Sequence, residues 1–402
     1  MAHSNSPKAL DGILVLDLSR ILAGPTATQM LGDLGATVIK IENPKTGGDD
    51  TRRWGPPYVD TPDGQSDLSA YFLSANRNKF SVAADLSTPE GQALVKEIAS
   101  QADILVENYK TGGLAKYGLD YDSLSALNPA LVYCSISGFG QTGPNKHLPG
   151  YDLMAQGYGG IMSITGEPEG APMKVGVGIA DVMCGMYASI GILAALRHAE
   201  ATGEGQQIDL ALVDSQMAWL INEGTNTLAS GKAPKRRGNG HPNIVPYDVF
   251  ATLDGHIILA VGNDRQFESL CGALGRTDLA EDPDFTTNPL RISHRDRLTA
   301  EISVTFSGKT SDNILKSLHD VGVPAGPIHK IDEALSSDQA EARGGVVQIE
   351  AATSTGYVEL LGNPLKFSKT PVSYGKAPPR FGEDTDKLDQ LLTDRNVSKS
   401  SR

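Results

Sequence analysis

The chain has 402 residues, which at roughly 150 residues per domain suggests two or three domains, or one large domain with an insertion. Lys and Arg total 35 against 48 Asp and Glu, a formal net charge of −13. That balance argues against a general nucleic-acid binder and against an anionic membrane surface as partner, while leaving room for a local cationic pocket. Cys134, Cys184 and Cys271 are far apart and odd in number, so they give neither a disulfide framework nor a metal-ligand spacing, and a reducing cytosol fits. Met1–Asp11 is polar and lacks a signal-type apolar region. The uncharged apolar run Val182–Leu196 is expected to be too short to cross a bilayer.

The first third alternates strand and helix signals. The apolar run Ile13–Leu18 reads as a buried strand, followed by a Gly24-Pro25 turn and a helical pattern over Thr26–Leu34. Thr37–Ile41, Phe80–Ala84, Asp103–Glu107 and Leu131–Ser137 read as further strands. Ser87-Thr88-Pro89-Glu90 has the form of a capping box that opens a helix to Ala99. Strands separated by helices of this length predict βαβ units and a mostly parallel, Rossmann-like sheet.

From Tyr151 the pattern turns helical and glycine-rich. Val182–Ala199 predicts a buried helix, followed by a strand over Gln207–Leu212 and helix signals from Asp214 to Ala229. The basic, aperiodic stretch Ser230–Pro242 is the clearest boundary. Beyond it, Val249–Thr252 and His256–Val261 flank Asp254-Gly255, a hairpin signal. Helices follow to Leu335, then short strands at Val346–Glu350 and Tyr357–Leu361, and a polar tail from Val397 that is expected to fray.

Several motifs fail on inspection. Ser307-Gly308-Lys309-Thr310 resembles the end of a P-loop, but Ser303 stands where its first glycine belongs. His294-Arg295-Asp296 has none of the other kinase elements. No dinucleotide fingerprint, Gly-x-Ser-x-Gly elbow or zinc pattern is present. Two carboxylates stand out instead. Asp181, in Gly176-Val177-Gly178-Ile179-Ala180-Asp181, immediately precedes the apolar helix. It reads either as a helix N-cap, kept ionised by the helix dipole, or as a nucleophile that a ligand approaches over the flanking glycines. Tyr151-Asp152 opens the helix before it and reads as a cap or a second site. Lys79, Lys110 and Lys116 fall near the ends of the third and fourth strands. On spacing alone they are surface charge.

The segments LDGILVLDLSRILAGPTATQMLGDLGATVIKIE, NRNKFSVAADLSTPEG, DILVENYKTGGLAKYGLDY, SISGFGQTGP, PGYDLMAQ and GIADVMCGMYASIGILAALRHAEATGEGQQIDLAL together resemble the class III CoA-transferases of CaiB/BaiF type, the formyl-CoA and carnitine CoA-transferase family. The resemblance covers nearly the whole chain. It implies an α/β fold with a large domain holding the Rossmann-like sheet, a smaller α/β domain, and two chains interlocked as a homodimer. The large domain would take residues 1–224 and 329–402, and the small one 225–328. The family nucleophile corresponds to Asp181. It would attack an acyl-CoA thioester to give an anhydride and then an aspartyl-CoA thioester, conserving the thioester energy without ATP. No tightly bound cofactor and no metal are implied, and CoA thioesters enter as substrates.

By the same resemblance, Lys79 and Lys116 lie near the CoA phosphates. Asn108 and Tyr109 flank the nucleotide, Ile21, Leu22 and Ala23 follow the first strand, and Tyr151 and Asp152 stand beside the reacting thioester. Asn43, Lys116 and Pro149 depart from the family pattern, so phosphate contacts are expected to shift to Lys45, Arg52 or Lys110. The loop Arg236–Tyr247, with Gly240 and His241, looks like the branch that moves CoA from succinyl-CoA to dicarboxylates such as glutarate or mesaconate-like acids. There Arg236, Arg237 and His241 either pair a distal carboxylate or form a mobile basic linker. The family also holds 2-methylacyl-CoA racemases, whose pattern places His at Tyr151; a tyrosine, ordinarily with a pKa near ~10, is a poor base at neutral pH. A silent CoA-binding protein is the alternative of another class.

Overall fold

The structure, a computed structural model, describes residues 8–62, 64 and 66–400, so most of the polar amino-terminal stretch lies outside the described residues. The chain forms two compact units. One runs up to Ile161 and includes Lys174–Gly231 and the stretch from Asp338; the other comprises Met162–Met173 and Lys232–Ser337. The expected boundaries at 225 and 328 differ from these. Residue 225 falls inside the helix Ile221–Ser230, which stays with the first unit, and the short segment Met162–Met173 joins the second.

In the first unit, β1 (Leu14–Asp17), β2 (Thr37–Glu42), β3 (Lys79–Ala83), β4 (Ile104–Glu107), β5 (Val132–Ser137) and β6 (Gln207–Ala211) form one sheet in the order β3-β2-β1-β4-β5-β6. Every neighbouring pair is parallel. Both faces are covered, which is why the central strands read as continuous apolar runs. Alternate residues serve opposite layers. Val15, Val38, Ile104 and Val106 pack with Ala27, Leu31, Ala188 and Ile192, whereas Leu14, Leu16, Ile39 and Leu105 pack with Val95, Ile98 and Leu124. The order reverses between β1 and β4, and such a switch point leaves a crevice beyond the carboxyl ends of the strands.

Three local expectations shift. The helix after β3 is capped by Thr88, whose side chain accepts from the Gly91 amide at 3.1 Å, with Pro89 in the first turn. Ser87 instead bonds to the Asp85 carboxylate, so the reciprocal capping box is not formed. The apolar helix is longer than expected, Ile179–Thr202. By length and composition alone it is apolar enough to cross a membrane, but Ala180, Cys184, Ala188 and Ile192 are buried in the core of the unit. The tail from Val397 continues the helix Leu388–Ser400 rather than ending it.

β10 (Val346–Glu350) and β11 (Tyr357–Leu361) form an antiparallel hairpin in the first unit. The carboxyl-terminal stretch then crosses the β3 edge, where the Asn78 side chain donates to the Ser373 carbonyl and Asp384 accepts from the Ser81 amide. In the second unit, β7 (Tyr247–Ala251), β8 (His256–Ala260) and β9 (Ala325–Pro327) form a small antiparallel sheet over Phe250, Phe267, Phe285 and Phe306. Residues Ser307–Thr310 form a helix end and the cap of the next helix, not a phosphate loop.

Replacing Thr88 with Ala removes the one side chain that caps the helix Pro89–Gln101. Chemical denaturation is expected to show a loss of about 1 kcal/mol with an unchanged fold.

Candidate active site

A cleft of about 540 Å³ opens at the carboxyl ends of β1, β4 and β5. β1 ends on Asp17, which is buried and leads into the loop that lines the cleft. Asp17 accepts from the Ser19 amide at 2.9 Å, the Thr28 hydroxyl at 2.7 Å and the Lys79 ammonium at 3.1 Å. Burial acts to raise its pKa, but Lys79, Lys40 and the two hydroxyls outweigh it and bring it down to about 2. The Ser19–Ala23 loop follows. Asn108, just past β4, clamps it by accepting from the Arg20 amide at 2.9 Å and donating to the Arg20 carbonyl at 2.7 Å.

Asp181 lines the cleft. It is not the helix cap. Gly178 holds that position, and Asp181 is the third residue of the helix. The cap comes from the neighbouring helix Asp152–Tyr158, where Asp152 Oδ1 accepts from the Ala180 amide at 2.8 Å and the Asp181 amide at 3.3 Å. Gln156 holds the other Asp152 oxygen at 2.7 Å. Nor does the helix terminus keep Asp181 fully ionised. Burial, reinforced by the Asp152 charge, pushes its carboxyl up to about 7. A carboxyl perturbed in this way and lining a cleft makes Asp181 the candidate functional group.

Tyr151 stands at the cleft with 59% of its surface exposed. Its backbone position is set by a glycine contact. A Cβ on Gly150 would lie 2.1 Å from Gly138 Cα, so the loop after β5 and the residue before Tyr151 touch backbone to backbone.

The cleft brings together Ile21, Leu22, Ala23, Asn108, Tyr109, Lys116, Tyr151 and Asp181. Asp152 lies behind Asp181 as its cap. Lys79 does not fit the phosphate role expected of it. Its ammonium is fully buried and is held by Asp17, the Pro25 carbonyl and Asn76. Burial depresses its pKa to about 8 against the opposing pull of Asp17. Arg52 is likewise buried and spent on Glu42 with Asp67, and Lys45, paired with Asp85, does not line the cleft. The cleft's cations are Arg20, Lys110, Lys116 and Lys146, with His147 beside them. Arg20, Lys146 and His147 escaped the sequence reading. Arg20 directly follows the first strand and offered a signal; Lys146 and His147 sit in an aperiodic loop that offered none.

Gly240 and His241 belong to the second unit. His241 donates its amide to the Tyr247 carbonyl at 3.0 Å, and its carbonyl accepts from Arg295 at 2.7 Å. The Arg236 guanidinium is spent on the Glu167 and Gly170 carbonyls. The loop is therefore fastened within its unit rather than a free linker.

Comparison with known proteins accords with this geometry. The model of CoA-transferase family III matches residues 10–385. The succinate–glutarate CoA-transferase of Agrobacterium fabrum is 50% identical over 379 residues, covering 94% of each chain. The succinyl-CoA:glutarate CoA-transferase of Homo sapiens is 40% identical over 381 residues, 95% of this chain and 85% of that one. The crystal structure of a CaiB/BaiF family protein from Brucella suis superposes with a TM-score of 0.85 at 45% identity, covering 96% of this chain and 99% of that one. The chain belongs to CoA-transferase family III and is a CoA-transferase.

Asp152→Asn removes the neighbouring charge that helps raise the Asp181 pKa. The acid limb of the pH–rate profile, which reports the free-enzyme carboxyl, is expected to move below pH 7. An unmoved limb would assign the whole shift to burial.

Proposed function

We propose that this CoA-transferase carries CoA from succinyl-CoA to a dicarboxylic acid of the glutarate type, with Asp181 as the covalent carrier. The observation that carries the reading is a desolvated carboxyl at the head of a buried helix, in a cleft rimmed by cations. The named activities of the two relatives supply the substrate class.

The Asp181 carboxylate attacks the succinyl-CoA carbonyl, the C–S bond breaks, and CoA thiolate leaves a succinyl–aspartyl anhydride. The thiolate then attacks the aspartyl carbonyl and succinate departs, giving aspartyl-CoA. An acceptor carboxylate attacks that thioester and releases the thiolate, which finally attacks the new acyl carbonyl. Acyl-CoA leaves and the Asp181 carboxylate is restored. Every acyl bond broken is replaced by one of similar reactivity, so no outside energy is required. Arg20, Lys110, Lys116 and Lys146 are the groups to offset the CoA phosphates, Asn108 and Tyr109 flank the nucleotide, and Tyr151 faces the thioester.

The working form is an interlocked homodimer. Supporting this, the first unit exposes Met186 and Ile190 on its apolar helix, and Trp219, Ile221 and Leu228 beyond it. Light scattering after size exclusion is expected to give a dimer mass. Cys134, Cys184 and Cys271 are buried and free, which suits a reducing cytosol.

Asp181→Ala is expected to abolish transfer while retaining CoA binding. Intact-mass analysis of the unaltered protein with succinyl-CoA should show a CoA adduct that maps to the Asp181 peptide. Full turnover by the variant would overturn the mechanism. Absence of any adduct, with proton exchange on a 2-methylacyl-CoA, would favour the racemase reading.

A further inference from the structure

Ile21 lies on the cleft and has φ of +73°, a left-handed conformation that a β-branched residue adopts only when its surroundings impose it. The imposing group is Asp49. Its carboxylate accepts from the Ile21 amide at 3.2 and 3.3 Å. Asp49 is itself 1% exposed and does not line the cleft. Thr51 donates to it from both amide and hydroxyl, and the Lys40 ammonium sits at 2.9 Å. Lys40 also donates to the Ser19 carbonyl at 2.8 Å, so one buried ion pair grips the loop on both sides of Arg20.

We propose that Asp49, seated on Lys40, is a positioning residue that holds the Ile21 backbone in its left-handed form and so sets the first-strand loop to receive the CoA moiety. The inference rests on the reading of the cleft as the CoA site. Asp49 touches no substrate; it acts through Ile21. A loop already in its bound conformation is spared the ordering cost of binding, so loss of the clamp should appear as weaker affinity. Glycine adopts positive φ without help, so it should make the clamp dispensable.

The test is calorimetric titration of the full-length protein with coenzyme A. Asp49→Asn is expected to weaken binding about tenfold or more, because the clamp preorganises the loop. The Michaelis constant for succinyl-CoA should rise in step, with kcat changed about threefold or less. In an Ile21→Gly background, the same Asp49→Asn change is expected to cost about threefold or less. Should Asp49→Asn fail to fold because it strands the Lys40 ammonium, the Lys40→Met/Asp49→Asn pair removes both charges and is read by the same titration. An equal loss in both backgrounds, or no loss in either, overturns the proposal. If the unaltered protein binds CoA but transfers none from succinyl-CoA, the proposed function falls and the positioning role is still tested by affinity. If it binds no CoA, both fall.

Discussion

Buried charge beneath the carboxyl end of β1 is the constraint on which the site depends. Asp17, Lys40 and Lys79 are fully buried, and Asp49 nearly so. Taking such groups out of water is costly, and each survives only because its lone pairs and protons are satisfied. Here the satisfaction is put to use. Four of the partners are backbone groups of the Ser19–Ile21 loop and the first turn of the next helix: the Ser19 amide and carbonyl, the Ile21 amide and the Pro25 carbonyl. The network therefore spends its hydrogen bonds on fixing a loop. A left-handed isoleucine costs about 1–3 kcal/mol, which the network must cover.

The same logic continues at the second wall. Asp152 is spent on the amides at the head of the helix Ile179–Thr202, so that terminus is already satisfied without Asp181. Asp181 is left to face the cleft while the charge beside it and its own desolvation destabilise its ionised form. One acidic residue fixes the helix, and the other is left to the cleft. The division depends on their coming from different helices, since a self-capping Asp181 would have its oxygens turned toward the backbone and lowered in basicity.

The sheet was legible because burial on both faces writes each strand as an apolar run, and helix signals separate them. The place of Asp181 at the head of the apolar helix was legible through its neighbours, glycines before it and an apolar run after it. Its role in the helix was not, because capping by Asp152 joins residues far apart in sequence. Lys79 was misread for the same reason. A lysine at a strand end reads as exposed, and only the fold brings Asp17, Asn76 and the Pro25 carbonyl around it. The switch of Met162–Met173 into the second unit left no trace in composition or periodicity. What the sequence could not show is what long-range pairing decides.

A chain with a net charge of −13 gathers its cleft cations by location rather than by total. Arg20 follows β1, Lys110 and Lys116 follow β4, and Lys146 follows β5, so the loops after three neighbouring strands of the sheet each bring cations to one crevice. At such close quarters nearby cations outweigh a diffuse excess of distant, solvent-screened carboxylates. In its proposed role as nucleophile, Asp181 beside them faces opposing demands. A carboxyl near pH 7 is more basic, and so a stronger nucleophile, than an ordinary aspartate, yet a good part of it is protonated at neutral pH. An ordinary, solvated carboxylate would be fully ionised but would hold its charge too comfortably to attack a thioester. For the proposed chemistry, a carboxyl raised to about 7 keeps an ionised fraction at neutral pH, and desolvation makes that fraction more reactive.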